Sequence, residues 1–252
     1  MQTPDSQPIA PRADPALVVT LARTQDDVRA AQRLRWRVFV EELGARIDTP
    51  EDGLDADRFD PHCDHLLVRH GATGDVVGTY RMLPPDRAAR AGGLYAESEF
   101  HLTRLLGLHR RMVEVGRACV RADHRTGGVI SLLWSGLLRY LVDGGHEFVV
   151  GCASIGLADD MRPAAALCRR LVREHLSPPD WRVFPRRPLP CDVPPDVEPA
   201  PLPPLLKGYL RLGALVCGEP AWDPAFNTAD VLLLLPLERI DQRHAARLLR
   251  AA

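Results

Sequence analysis

The segment 112–134 concentrates residue types that could carry out group transfer. Its first part has the pattern of a strand and carries Glu114, a candidate base, and Arg117, a candidate clamp for a carboxylate. In a regular strand, residues three apart point to opposite faces, so these two side chains serve one cleft only if an extra residue is inserted. Gly116 stands where such a β-bulge can form. The alternative is an ion pair at a solvated strand edge.

The residues after this strand suit a phosphate group. Arg121, Arg125, Gly127 and Gly128 precede a strongly amphipathic helix. Glycine lets the backbone approach an anion, and the free N–H groups and dipole of a helix start attract it. We therefore expect these four residues to hold the phosphate of a tagged donor. The alternative is an ordinary strand-to-helix turn with glycine at the bend.

A loop at residues 55–65 is rich in aspartate and histidine. Because no tight ligand spacing is visible, a carboxylate cluster that receives an ammonium group is favoured over a metal site, and no metal is predicted. Asp57 and Asp60 are the candidates for this cluster, and a solvated loop is the alternative. Arg81 ends an alternating strand, a position that is more often on the surface.

The elements that must position these residues follow from periodicity. Apolar residues recur at helical spacing from Ile130 to Leu141, and Gly144 ends that helix. Thr24 can cap an earlier helix that runs to Leu43. Strands are predicted at 17–22, 65–69, 76–83, 112–120, 147–153 and 231–235, and further helices at 163–175, 205–212 and 239–250. The alternation predicts an α/β (α+β) fold.

The bulk properties limit the class of protein. The chain has 252 residues, 46% hydrophobic and 26% charged, with a net charge of −1, which argues against general nucleic-acid binding. No leader peptide or membrane span is visible, so we expect a cytoplasmic protein with buried free thiols. The predicted division is a disordered tail (1–15), a core (16–184), a proline-rich wrap or linker (185–204) and a C-terminal extension packed on the core (205–252).

Several stretches carry a resemblance to a known family. They are Arg35-x-Arg37-x-Phe39, Asp57-Arg-Phe-Asp60, His62-Cys-Asp-His65, Gly78-Thr-Tyr-Arg81-Met-Leu-Pro84, Tyr95-x-x-Ser98-Glu99-Phe100, Glu114-x-Gly116-Arg117 and Lys207-Gly-Tyr-Leu-Arg211-x-Gly213. Over about residues 25–240, the chain resembles the bacterial ornithine lipid N-acyltransferases, which have the GNAT fold. It resembles the acyl-homoserine lactone synthases more faintly, through Arg35, Phe39, Asp57, Asp60, Arg81, Glu114 and Arg117.

The resemblance implies a fold, a reaction and a site. The fold is a mixed central sheet with a bulged strand and flanking helices. The reaction transfers a 3-hydroxyacyl group from acyl carrier protein to the α-amine of ornithine and gives a lyso-ornithine lipid. Acyl-CoA is the alternative co-substrate, and no tightly bound cofactor is implied. Catalysis falls to Glu114 and Arg117, and substrate binding falls to Arg35, Phe39, Asp57, Asp60, Arg81 and Ser98.

The resemblance also implies partners and leaves alternatives open. Arg121, Arg125, Gly127 and Gly128 would hold the phosphopantetheine of the donor. Because acyl carrier protein is acidic, Arg110 and Arg111 could face it together with these two arginines. The lipid product makes a peripheral membrane contact plausible. The alternatives are an acyl-homoserine-lactone-synthase-like or other amino-acid N-acyltransferase, and a non-catalytic protein of the same fold that binds a lipid or a partner.

Overall fold

The computed structural model describes residues 17–125, 127–190 and 192–250, and the predicted disordered tail, residues 1–15, lies outside them. The strands are β1 (Leu17–Leu21), β2 (Asp64–His70), β3 (Val76–Leu83), β4 (Phe100–His101), β5 (Met112–Val120), β6 (Phe148–Gly156), β7 (Phe184–Pro185), β8 (Leu215–Val216), β9 (Ala221–Asp223) and β10 (Thr228–Pro236). The helices are α1 (Gln25–Trp36), α2 (Pro85–Ala88), α3 (Gly128–Asp143), α4 (Arg162–His175), α5 (Pro204–Arg211) and α6 (Gln242–Leu249).

One mixed sheet of eight strands organises the fold. Its order is β1-β2-β3-β5-β6-β10-β8, and β9 pairs with β10. β5 and β6 are parallel because α3 crosses over between them, whereas the other pairs are antiparallel. The predicted β2–β3 hairpin is confirmed, and so are α3 and the buried strand β6. β10 lies inside the sheet, so the segment after the proline-rich stretch supplies an interior strand. How the chain divides into domains stays a prediction.

Helices and loops cover the two faces of the sheet. α3 buries Leu133, Leu137 and Leu141 against one face, where α4 and α5 also pack. These residues are spaced four apart, which places them on one side of a helix. The opposite face is covered by α1 and by the segment between β3 and β5. Among the described helices, none is both long enough and apolar enough to cross a membrane.

The first helix changes its geometry near the sheet. Thr24 caps it as predicted: the Thr24 hydroxyl accepts the Asp27 N–H at 3.2 Å, and the Asp27 carboxylate accepts the Thr24 N–H at 3.0 Å. The predicted single helix to Leu43 is wrong in one respect. α1 ends at Trp36, and residues 37–42 continue with wider i→i+5 turns. Such turns are often found at functional sites, and Phe39 lies on this one.

Strand β5 contains the predicted bulge, one residue later than expected. Thr79 pairs with Cys119 and Arg81 pairs with Gly116, so Tyr80 alone faces two residues of β5. Arg117 takes the left-handed backbone conformation, with a φ of 52°, whereas Gly116 does not. A side chain in that region is strained, and such strain usually marks a functional position.

The proline-rich segment follows the surface without forming helix or sheet interior. Phe184–Pro185 pairs with Phe100–His101 in a small separate ladder, and Pro188 bridges to Ala221. Further along, the Ala200 N–H donates to the Pro163 carbonyl at 2.8 Å. These contacts hold the described part of the segment against the protein. The five cysteines among the described residues are free thiols, and Cys191 lies outside that part of the chain.

Candidate active site

A slot opens in the sheet where β5 and β6 separate. The two strands pair only over Met112–Glu114 and Phe148–Val150. Immediately beyond this ladder, a Cβ on Gly151 would lie 2.4 Å from the Val115 carbonyl oxygen, so only glycine fits. The slot forms a cavity of about 220 Å³ that reaches both faces of the sheet.

The two faces of the slot differ in chemistry because side chains alternate along a strand. On the face of α1, the walls include Arg81, Tyr95, Glu114, Arg117, Cys152 and Asp230. On the face of α5, they include Tyr80, Val115, Val149, Leu206, Tyr209 and Leu235. There the hydroxyls of Tyr80 and Tyr209 are hydrogen-bonded to each other. One face therefore offers ionisable groups, and the other offers an apolar surface.

Glu114 lies at the point where the strands part. Its side chain is buried, and its two oxygens accept the backbone N–H groups of Tyr95 and Ala96 at 2.7 Å each. Burial raises the pKa of Glu114 to about 7, although these two hydrogen bonds and the nearby charge of Arg81 oppose the rise. A carboxyl group with this pKa exchanges a proton readily at neutral pH, which a general base requires.

Arg117 enters the same cavity from the bulge. Its guanidinium group lies over the rings of Tyr95 and Phe226, at 5.0 and 4.7 Å from their centroids. Its Nε lies 3.2 Å from Asp55 Oδ2, and one Nη lies 3.5 Å from Asp57 Oδ2. The structure thus brings Glu114 and Arg117 to one cavity, as their spacing and the bulge predicted. Among the described residues, no ion pair joins Glu114 to Arg117.

Arg35 stabilises the loop that carries Asp55 and Asp60, beside the cavity. It is fully buried, with Nε at 3.1 Å from Asp55 Oδ2 and one Nη at 2.6 Å from Asp60 Oδ2. The same group also donates to the Asp55 carbonyl oxygen, and Gln32 donates to Asp60 at 3.0 Å. Arg35 therefore holds the loop and does not line the cavity.

Arg81 is buried as well, although its place at a strand end suggested the surface. It lies 2.7 Å from Asp57 Oδ1 and 3.0 Å from Asp60 Oδ1. Burial disfavours the charged form of Asp60, but Arg35 and Arg81 prevail and hold its pKa below the usual range. The pKa of Asp57 is lowered in the same way, with Arg81 opposing the effect of burial. Both aspartates are therefore ionised and already paired with arginine.

Of the remaining residues predicted to bind the substrate, Phe39 lines the cavity and Ser98 does not. The Phe39 ring meets Phe226 edge to face at 5.8 Å between centroids. Ser98 is exposed and donates to the Tyr95 carbonyl at 2.6 Å. It lines a neighbouring groove that shares Tyr95 and Asp223 with the cavity, so the structure does not place Ser98 in the cavity itself.

The predicted donor residues lie at the start of α3. Gly127 precedes the helix with a φ of 96°, and a Cβ there or on Gly128 would meet little or nothing. Among the described residues, no side chain caps this helix start, so none of them competes with an anion for its N–H groups. Arg121 pairs with Asp123 at 2.8 Å, and Arg125 pairs with Glu42. Both arginines would have to leave these partners to contact a phosphate.

Sequence reasoning missed a second group of acids at the cavity. Glu99, Cys152 and Asp230 have ligand atoms within 4.8 Å of one another, a spacing that could hold a metal ion. Burial, followed by the charges of Asp230 and Asp223, raises the pKa of Glu99 to about 9. The sequence signal was Asp230, a lone acid at the start of an otherwise apolar strand.

Comparisons with known proteins agree with this geometry. The family model of the acetyltransferase (GNAT) domain matches residues 34–135. The chain is 39% identical to an L-ornithine N(alpha)-acyltransferase of Rhizobium meliloti, over 90% of this chain and 82% of that one. It is 40% identical to an L-ornithine N(alpha)-acyltransferase of Rhodobacter capsulatus, over 90% of this chain and 92% of that one.

A solved structure shares the fold. A CoA-dependent acyl-homoserine lactone synthase superposes with a TM-score of 0.53 at 18% identity, over 89% of this chain and 81% of that chain. At this identity, the likeness concerns the fold alone. The predicted mixed sheet with a bulged strand and flanking helices is thereby confirmed as the GNAT fold.

Proposed function

The chain belongs to the family of the L-ornithine N(alpha)-acyltransferases and is an acyltransferase, and we propose that it transfers an acyl group from a thioester to the α-amine of ornithine. The observation that carries this proposal is Glu114, a buried carboxyl group with a pKa raised to about 7, at the edge of a slot between two strands. A slot of this kind suits a narrow pantetheine arm, and the carboxylate suits the incoming amine.

The proposed chemistry needs one proton acceptor. Glu114, directly or through a water molecule, takes a proton from the ammonium group of the acceptor. The free amine then attacks the thioester carbonyl carbon, a C–N bond forms, and the carbonyl oxygen becomes an oxyanion. Backbone N–H groups of the bulged strand are the candidates to stabilise that oxyanion. The C–S bond then breaks, the nitrogen gives up its second proton to the leaving thiolate, and Glu114 releases the first proton to solvent, so an amide and a thiol result.

The two cationic side chains of the cavity have different tasks in this proposal. Arg117 binds the α-carboxylate of the acceptor, since its guanidinium group lines the cavity and its contacts with Asp55 and Asp57, at 3.2 and 3.5 Å, are longer than those that Arg81 makes. Arg81 is tied to Asp57 and Asp60 and holds the floor of the site. The rings of Tyr95 and Phe226 lie over the guanidinium group of Arg117, and Phe39 packs against Phe226.

We further propose that the donor is a 3-hydroxyacyl group on acyl carrier protein. The open helix start at Gly127 and Gly128 supports a phosphopantetheine there, and the apolar face of the slot supports an acyl chain. Arg110 is exposed, but it precedes β5 and lies next to Arg111, which pairs with Glu147 beyond the other end of α3, far from Gly127. Arg121 and Arg125 are therefore the arginines that could meet an acidic partner at the helix start. Acyl-CoA remains the other candidate donor.

The proposed product is a lyso-ornithine lipid, which partitions into membranes. A peripheral contact at the inner face of the membrane, with the protein otherwise in the cytoplasm, follows from this product. Helix α6 exposes Arg243 and Arg247, while Ala245 and Leu248 pack against the protein. Its outer side would therefore meet lipid head groups by charge rather than by insertion.

The test is an acceptor and donor screen with product detection by mass spectrometry. We expect N-acylornithine from ornithine and a long-chain 3-hydroxyacyl carrier protein, and slower or no reaction with the matching acyl-CoA. Absence of an N-acyl product with every amino acid and with both donors would refute catalysis and favour a binding protein. A lactone formed from S-adenosylmethionine would instead favour a lactone synthase.

A further inference from the structure

A cluster of acids lies where the cavity adjoins the neighbouring groove: Asp230 and Cys152 line the cavity, and Glu99 lines the groove. Asp230 of β10 pairs with Ser154 of β6, and Leu232 pairs with Cys152, so the Asp230 and Cys152 side chains lie on one face of the sheet. Glu99, in the turn before β4, completes the group with its carboxylate within 4.8 Å of both. Asp230 is 4% exposed, so the cluster is part of the interior wall.

These carboxyl groups have few partners. The buried oxygens of Glu99 interact with the Cys152 thiol and the Asp230 carboxyl group. Asp230 accepts a hydrogen bond from the Thr228 hydroxyl at 2.7 Å and interacts with Ser154, so none of these partners carries a positive charge. A buried carboxylate without a cationic partner is costly, so a charged ligand is expected to satisfy it.

The nearest arginines do not neutralise the cluster. Arg186 and Arg187 line the adjoining groove, but the Arg186 Nε donates to the Glu97 carbonyl at 2.6 Å, and Arg187 stacks on Trp222 at 5.8 Å. Within the described ranges, no ion pair joins Glu99 or Asp230 to a base. Burial, followed by neighbouring acids, raises the pKa of Glu99 to about 9, and burial also raises the pKa of Asp230. The unliganded wall thus holds protons that a bound cation would displace.

The other carboxylates at the site differ in this respect. Asp57 and Asp60 are paired with Arg81 and Arg35, so their negative charge is already compensated. The sequence suggested these two aspartates for the distal ammonium of ornithine. Glu99 and Asp230 have no arginine partner among the described residues, so an ammonium group that displaces the proton of Glu99 would supply the missing positive charge.

Resting on the proposed function, we propose that Glu99 and Asp230 bind the side-chain ammonium of the acceptor and so select ornithine over neutral amino acids of the same length. Nothing else in the reaction requires acids at this place, because Glu114 already serves as the base. The two carboxyl groups are thus specificity determinants of the acceptor.

The order of side chains along the cavity suits a diamino acid. Cys152, a member of the cluster, is also an electrostatic neighbour of Glu114, so the cluster adjoins the proposed base. Tyr95 is likewise an electrostatic neighbour of both Arg117 and Glu99. The two nitrogens of extended ornithine are about 6 Å apart, because five bonds join them. An acceptor with its α-amine near Glu114 and its carboxylate on Arg117 can therefore direct its side chain at the cluster.

The experiment compares ornithine with norvaline, which has the same carbon chain and no side-chain amine. The ratio of kcat/KM for ornithine to kcat/KM for norvaline is measured for the wild type, Glu99→Gln and Asp230→Asn. Asp143→Asn, an exposed aspartate at the end of α3, is the matched control. We expect a strong preference for ornithine in the wild type. In each cluster variant the ratio should fall about tenfold or more, mainly through a higher KM for ornithine.

The outcomes are separable. A wild type that acylates no amino acid would refute the proposed function itself. A wild type that uses ornithine but prefers it to norvaline less than about tenfold would overturn the present inference even if a variant fails to fold. An unchanged ratio of kcat/KM for ornithine to kcat/KM for norvaline in both variants, each melting like the wild type, would also overturn the inference. Stoichiometric metal in the purified protein, with ornithine activity lost on chelation, would show that the cluster binds a metal ion instead.

Discussion

Glu114→Gln is the sharpest test of the proposed base, because glutamine keeps the shape of glutamate and cannot accept the proton. A positioned general base contributes about 10²–10⁴ in rate, so kcat should fall by about that factor. This corresponds to about 3–5 kcal/mol in the activation barrier. The pH profile should change too. In the wild type, kcat/KM rises as Glu114 loses its proton near pH 7, and the variant should lack that contribution.

The effect of this substitution on stability depends on pH. The two oxygens of Glu114 accept the N–H groups of Tyr95 and Ala96; glutamine keeps one of these oxygens and puts an NH₂ donor in place of the other, so one N–H group loses its acceptor, which costs about 1–3 kcal/mol. Against this, burial raises the pKa of Glu114 from 4.5 to about 7, so the folded state binds the proton more tightly than the unfolded state. Stability from this group therefore falls as the pH rises from about 4.5 to about 7, by about 3 kcal/mol. Near pH 8 the two effects nearly cancel, and the variant should melt close to the wild type.

The assay is steady-state N-acylation of ornithine from pH 5.5 to 9, with thermal melting at pH 5.5 and 8. Glu238→Gln, an exposed glutamate, is the matched control and should retain the wild-type rate and profile. A Glu114→Gln protein that is folded at pH 8 and retains more than about one-tenth of the wild-type kcat would refute Glu114 as the base.

Two further substitutions test the slot and the clamp. Gly151→Ala should destabilise the fold by about 1–3 kcal/mol and lower activity, since the new Cβ would lie 2.4 Å from the Val115 carbonyl oxygen. Gly156→Ala in the same strand is the control: its Cβ would meet nothing within 4 Å, so this variant should melt like the wild type. Equal melting of both variants would contradict the close approach. Arg117→Lys should raise the KM for ornithine about 10- to 100-fold, because lysine cannot bind a carboxylate bidentately, while the exposed Arg243→Lys should leave KM unchanged. If kcat rather than KM changes in Arg117→Lys, Arg117 acts in the transition state and not as a clamp for the bound acceptor.

Local patterns predicted those parts of the protein that depend on near neighbours in the chain. The helical period gave α3, and the three-residue spacing of Glu114 and Arg117 required the bulge that the sheet contains. The bulge residue could not be chosen from sequence, because glycine at 116 looks better suited to a left-handed backbone than the arginine that adopts it. At Arg117, ion pairs and aromatic contacts stabilise a left-handed backbone conformation that arginine disfavours by itself.

Long-range pairing explains what the sequence could not provide. Arg35 lies between two apolar stripes of its helix and looks exposed, yet Asp55 and Asp60 from a distant loop make it fully buried. Glu99 and Asp230 come from opposite halves of the chain and meet only because β10 enters the sheet beside β6. A burial prediction based on one segment at a time cannot find partners that the sheet order brings together.

The distribution of charge across the cavity connects the bulge to the choice of acceptor. On one side, Arg35, Arg81 and Arg117 pair with Asp55, Asp57 and Asp60, and Arg117 makes the longest of these contacts, at 3.2 and 3.5 Å. Where the cavity adjoins the groove, Glu99 has no basic partner among the described residues. An α-amino acid with a cationic side chain carries the complementary charges in the same order, carboxylate first and ammonium last. If Arg117 were in a regular strand it would point away from Glu114, and the first of these contacts would be lost. In the proposed function, the strained backbone at Arg117 would therefore orient the acceptor, and Glu99 and Asp230 would determine which acceptor is used.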